Sequence, residues 1–299
     1  MVKDKRGGTT RLILGLLVVA VVVAVSAAGL LASRSGTQTQ VPKRPLPTAP
    51  SSSPTTRLAA TTASLPATTT APAVTSSPST TTAKTPVKHA PVPLGVRGPW
   101  KLVFSESFDG SSLNRNVWNA HDGWTDQNGV TDALGNVRVR HGHAILTLAS
   151  DSSGAELGTR HFSLKVGEFA EARISFAGDG HTIYNWPAFW ASGPNWPRGG
   201  ENDIAEGFGA LTVNYHSPDL VEHSGAVGGN WAGRFHVFGI YRGRNFSRVY
   251  WDGKLVETYR TDDDGQPETL LLTLGAGNEI RTGAAGAMIV DYVRAWRPA

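Results

Sequence analysis

All nine tryptophans and all six tyrosines of this chain lie at or after Trp100. A packed core needs large apolar side chains, so only the C-terminal part can build one. That leaves about 200 residues, ample for a single sizeable core. One globular domain is therefore expected over residues 96–299.

The part before it divides by composition. Residues 1–11 are basic and short. Residues 12–33, between Arg11 and Arg34, carry no charge and are mostly Leu, Val and Ala. At about 1.5 Å per helical residue, such a run crosses a hydrocarbon layer about 30 Å thick. Lys3, Lys5, Arg6 and Arg11 precede it and favour a cytoplasmic N-terminus. An uncleaved transmembrane signal anchor is expected. Val25-Ser26-Ala27 offers a small-residue cleavage site, which keeps a signal peptide as the competing reading. Residues 34–95 are rich in Ser, Thr, Pro and Ala and hold no acid. Such a segment buries too little apolar surface to fold, and a disordered linker is expected. The domain then sits outside the cytoplasm, at the membrane through its anchor, or secreted if the signal is cleaved.

Charge and cysteine content exclude several functions. Residues 1–95 hold ten Lys and Arg against Asp4 alone, whereas the rest holds 18 basic and 23 acidic residues. The sequence pI of about 9.4 thus comes from the leader and is no sign of nucleic-acid binding. With no cysteine, disulfides, a thiolate nucleophile and a lipidated N-terminal Cys are all ruled out.

Within 96–299 the pattern is of short strands between turn signals. Val137–Arg140 and His143–Leu148 flank His141-Gly142. Asp252-Gly253 turns Ser247–Trp251 into Lys254–Tyr259, a strong hairpin signal. Phe169–Phe176, Thr212–His216, Phe235–Tyr241, Thr269–Leu274 and Ala287–Trp296 add further strands. No long stretch has a helical period. An all-β sandwich or jelly roll is expected.

Residues 201–206 read Glu-Asn-Asp-Ile-Ala-Glu, three carboxylates at spacing E-x-D-x-x-E. On a strand Glu201 and Asp203 share a face. Glu206 joins them only if a bulge at Ile204 or Ala205 inserts one extra residue. Acids that close push at least one pKa upward, so one carboxyl holds a proton while another stays ionised. A retaining glycosidase needs that division, with its two carboxyls about 5–5.5 Å apart. A solvated acidic loop or a calcium loop is the plainer alternative. Trp186, Trp190 and Trp196 just upstream count against it, because sugars stack their apolar faces on tryptophan.

Trp186-Pro-Ala-Phe-Trp190, Gly193-Pro-Asn-Trp-Pro197 and Gly200-Glu-Asn-Asp-Ile-Ala-Glu206 resemble glycoside hydrolase family 16, in its laminarinase-like branch. Ser105–Gly110 is similar to the family's opening segment and Val290–Trp296 to its last strand. The resemblance implies a concanavalin A-like jelly-roll sandwich of two curved antiparallel sheets, with an open cleft for a polysaccharide. It implies that Glu201 is the nucleophile, Asp203 its assistant and Glu206 the acid/base. Substrate contacts are implied for Trp196, Trp186, Trp190, Arg173, Asn136 and His216, with Trp186 or Trp190 open to a core role instead. The implied activity is endo-cleavage of β-1,3- or mixed β-1,3/1,4-glucan with retention. Wall-remodelling transglycosylation, galactan cleavage and non-catalytic glycan binding are the alternatives. No cofactor is required, no nucleic acid is involved and a monomer is expected. Some relatives bind a structural calcium, for which Glu106 and Asp291 are weak candidates; Glu106-Ser107 replaces the usual Asp-Glu. Asn202 also departs from the family, which usually has a large aliphatic residue there. It should face the sheet interface, where a buried amide needs partners.

Overall fold

The computed structural model describes residues 91–299, and the expected anchor at 12–33 and nearly all of the expected linker lie outside them. Among the described residues no helix is long and apolar enough to cross a membrane.

The described chain forms two eight-stranded sheets. One runs, edge to edge, Val221–Ala226, Ala210–His216, Glu201–Phe208, Asn185–Ser192, Thr269–Asn278, Ser153–Thr159 and Trp118–Ala120. Thr131–Asp132 adds a short parallel pairing to Ser153–Gly154. The other runs Lys254–Arg260, Phe246–Trp251, Phe235–Arg242, Phe169–Ser175, Met288–Pro298, His143–Leu146 and Val137–Arg140, with Trp100–Glu106 also paired to Met288–Pro298. The Asp252-Gly253 hairpin and the His141-Gly142 turn both form where the turn residues place them.

Alternation drives the packing. In Asn185–Ser192, Phe189 and Ala191 are buried in the core while Trp186 and Trp190 stay half-buried on the outer face. In the facing sheet Ala170, Ala172 and Ile174 enter the core, so Arg173 points outward. Phe189, Ile204, Val213, Leu272 and Leu274 meet Phe238, Ile240, Val249, Trp251, Val290 and Val293 between the sheets. Burial of that many large side chains, each contributing about 1.5–3 kcal/mol, is the main source of stability.

Ser153–Thr159 reads poorly as a strand because it contains Gly154 and Gly158. Gly154 is required by close approach: a Cβ there would lie 2.5 Å from the Leu274 carbonyl oxygen.

The folded part begins earlier than residue 96. The buried Trp296 donates its indole N–H to the Pro91 carbonyl at 2.7 Å, and Leu94 N–H donates to Glu171 Oε2 at 2.9 Å. Cutting at residue 96 removes both partners. Each orphaned group should cost about 1–3 kcal/mol, at about 2–4 °C of Tm per kcal/mol for a domain this size. Fragment 91–299 is expected to melt clearly above fragment 96–299 in calorimetry. Equal melting temperatures would mean that the 91–95 segment contributes nothing.

Candidate active site

The outer face of the first sheet gathers the acids through one irregularity. Asp203 pairs with Asn214 and Glu206 with Thr212, so Ile204 and Ala205 together stand opposite Val213. The ladder to Asn185–Ser192 slips at the same place, with Trp190 opposite Asp203 and Phe189 opposite Ala205. This is the expected bulge. It sends Ile204 and Ala205 into the core and returns Glu206 to the face of Glu201 and Asp203. A bulge breaks ladder bonds, and here the buried Ile204 carbonyl accepts a hydrogen bond from Trp251 Nε1 of the facing sheet, at 2.8 Å.

Each acid has a different environment. Glu206 is held by two neutral donors: Trp186 Nε1 at 2.7 Å from Oε1, and Asn214 Nδ2 at 2.5 Å from Oε2. The indole N–H of Trp196 favours the ionised form of Glu201, and its ring, 62% exposed, keeps its faces open. Burial first, then the charge of Asp203, raises the Glu201 pKa to about 8, against the opposing pull of His216. Asp203 is raised well above its ordinary value by burial and by Glu206. Its Oδ2 is buried with no hydrogen-bond partner, and His216 Nε2 lies 3.3 Å from it without hydrogen-bond alignment. Protons therefore gather on the Glu201–Asp203 pair, which titrates as a unit. Among the described residues the ligand atoms close enough to share a metal ion belong to Glu201, Asp203 and His216.

Of the expected contacts, Trp186, Trp190, Trp196 and His216 do assemble around the acids. Neither Trp186 nor Trp190 is core; that role falls to Phe189. Trp190 Nε1 donates to Thr273 Oγ1 at 2.7 Å. Arg173 is a correction. It sits on the facing sheet, outside, with Nη1 2.6 Å from Asp291 Oδ2 and its guanidinium over the Phe235 ring. It points away from the acid face because Ala172 and Ile174 take the inward positions. Asp291, one of the calcium candidates, thus has an arginine beside it, the opposite of what a cation needs. Glu106 Oε1 accepts from Phe108 N–H at 2.8 Å. Asn136 is likewise no open contact. It is buried in a short 3-10 turn and donates to Ser153 Oγ and the Gly154 carbonyl, at 3.0 and 2.8 Å.

Sequence reasoning missed Asn214, although period two puts Thr212, Asn214 and His216 on one face. It also missed a second polar group on the same face. Thr273 Oγ1 donates to Glu156 Oε2 at 3.2 Å, and Glu156 Oε1 makes a close ion pair with His121 Nδ1. Asp132 beside them has its pKa pushed up to about 7, by burial and then by Glu156. The exposed Trp124 sits on the adjoining loop. Glu156 faces outward because it pairs with Thr273, which pairs with Ala188, which pairs with Glu206.

The raised carboxyls set the pH response. A carboxyl with a higher pKa folded than unfolded makes the native state bind more protons in between, so stability falls as pH rises through that window. Glu201, Asp203, Asp132, Glu171 and Glu268 all act this way, chiefly through burial, and so does His121 through its bond to Glu156. The window opens near the unfolded carboxylate pKa of about 4 and reaches about 8 with Glu201. Calorimetry should show Tm falling from about pH 5 to about pH 8; a rising Tm over that range would contradict the assignment of these shifts.

Comparison with known proteins agrees with this geometry. Residues 179–224 match the family model described as the XgeA-like catalytic GH16 domain. That segment contains all three acids, Trp186, Trp190, Trp196, Asn214 and His216. No curated protein sequence matches the chain. Among solved structures, the endo-β-1,3-glucanase of Pyrococcus furiosus is 22% identical, with a TM-score of 0.55 over 69% of this chain and 98% of that one. SCLam, a non-specific endo-β-1,3(4)-glucanase from family GH16, is 20% identical, with a TM-score of 0.59 over 70% of this chain and 95% of its own. A glycosyl hydrolase family protein from Mycobacterium fortuitum is 24% identical, with a TM-score of 0.53 over 66% and 100%. The resemblance to glycoside hydrolase family 16 therefore stands: residues 91–299 have the fold of that family's glucanases, and the strand bearing the acids lies in the segment that its catalytic-domain model matches.

Proposed function

We propose that this domain is a retaining endo-glycoside hydrolase that cuts β-1,3- or mixed β-1,3/1,4-glucan. The observation that carries the reading is the bulge that brings three acids onto one face. Glu206 is fixed by two N–H donors, while Asp203 is buried with one oxygen that no donor reaches, beside the half-buried Glu201. Glu201 attacks the anomeric carbon as a carboxylate, and Asp203 keeps the proton that the pair holds. Glu206, in its protonated form, gives its proton to the leaving oxygen, then takes one from the water that releases the glycosyl-enzyme. The open ring of Trp196 and the half-buried rings of Trp186 and Trp190 supply apolar platforms for sugar faces. Glu156, His121 and Trp124 extend the polysaccharide-binding face away from the cut. No cofactor enters these steps. Residues 12–33 hold the enzyme at the membrane, or are cleaved to release it, and residues 34–90 space the domain from the anchor.

The two glutamates should fail differently. Glu206→Ala should lower kcat on β-glucan by about 10²–10⁴-fold, the usual range for losing a general acid/base. On an aryl glycoside with a good leaving group it should still form the intermediate, and added azide should release the β-azide. Glu201→Ala should do neither. Proton NMR of the first wild-type products should show the β configuration, because two inversions restore it. Initial α products, or β-azide formed by Glu201→Ala, would overturn these roles.

A further inference from the structure

We propose that Asn202, Glu268 and Arg242 are positioning residues for the reaction, holding Glu201 and Asp203 in place from behind the sheet. The proposal rests on the functional reading above. Asn202 lies between the two acids in sequence but points the other way, into the sheet interface, where it is fully buried. Its Oδ1 accepts from Ser247 Oγ at 2.9 Å and from Tyr259 OH at 2.8 Å, both on the facing sheet. Its Nδ2 donates to Glu268 Oε1 at 2.7 Å. Arg242 Nη2 lies 3.0 Å from the same Glu268 oxygen and makes a closer pair with Asp263 Oδ2. Arg242 Nη1 donates to the carbonyls of Leu164 and Gln266.

The network also grips the residue before Glu201. Gly200 has φ of +76°, and a Cβ there would lie 2.8 Å from Asp263 Cβ and 2.9 Å from Tyr215 OH. Tyr215 is the ladder partner of Asn202, stacks on Tyr259, and donates to Asp262 at 2.9 Å. Glu201 is thus clamped on both sides, at Gly200 and at Asn202. Apolar contact is non-directional. A buried amide with three hydrogen bonds has one position, and leaving any of the three unmade is costly. A large aliphatic residue at 202 would fill the space without fixing that position.

The test compares Asn202→Leu, Tyr259→Phe and Glu268→Gln with wild type on a soluble β-1,3-glucan, in kcat per folded molecule. Asn202→Leu should lose kcat by about 10–100-fold with little change in KM, in line with the cost of a misplacement of about 1 Å. Tyr259→Phe keeps the ring and removes one donor, so it should fold and lose about 3–10-fold, within the range for one lost hydrogen bond. Glu268→Gln keeps the oxygen that serves Asn202 and Arg242 and should retain most of kcat. Unchanged kcat in Tyr259→Phe and in folded Asn202→Leu, with only Tm lowered, would overturn the proposal. Amide hydrogen exchange across 201–206 needs no substrate and separates this outcome from failure of the glucanase reading. The positioning role predicts exchange at least about 10-fold faster in Tyr259→Phe, as local opening becomes easier. Unchanged exchange would overturn it even if the wild type proved inactive on every glucan.

Discussion

The carbonyl of Ile204 is the point on which the acid face depends. Placing three carboxylates at E-x-D-x-x-E on one face requires an extra residue in the strand, and an extra residue breaks the ladder. Here that leaves a fully buried backbone oxygen, which would cost about 1–3 kcal/mol if unpaired. The Trp251 indole N–H reaches across the sandwich to satisfy it. Trp251 is itself set edge-on against Trp231 and Phe238, with ring centroids 4.9 and 5.4 Å away. The spacing of the acids is therefore tied to how the two sheets pack, and cannot be treated as a property of one strand.

Donors are shared unequally around the acids. Two neutral N–H groups hold Glu206 without adding positive charge. Asp203 keeps one oxygen without a donor, in a site where burial and Glu206 both oppose ionisation. A single proton on the Glu201–Asp203 pair lets one of them be a carboxylate at modest electrostatic cost. Fully compensated ion pairs would remove this freedom, and a salt-bridged Glu201 would be a poor nucleophile in the proposed reaction.

What was legible in the sequence was what depends on local spacing. The E-x-D-x-x-E pattern and the bulge it demands follow from period two within a few residues, whereas a core role for Trp186 or Trp190 had stayed open. The same rule would have exposed Asn214, two positions before His216. Arg173 and Asp291 were not legible, because their side depends on which sheet their strands join and on register with distant strands. Their mutual ion pair on the facing sheet shows the outcome. Glu156 was hidden for a different reason. Its strand has two glycines, one forced by the approach of the Leu274 carbonyl, and so lacks a β-strand signature. Asn202 stood out as a polar residue in a position for a large aliphatic one, and only the facing sheet supplies the partners that make it tolerable.

The central claim is that Glu201 forms a covalent bond to the sugar. A 2-deoxy-2-fluoro glycoside of a β-1,3-linked disaccharide, with a good leaving group, slows release of the intermediate more than its formation. After brief incubation, peptic digestion and tandem mass spectrometry should place the fluorosugar as an ester on the Glu201 carboxyl. A label on Glu206 or Asp203, or no label in protein that still hydrolyses β-glucan, would contradict the account.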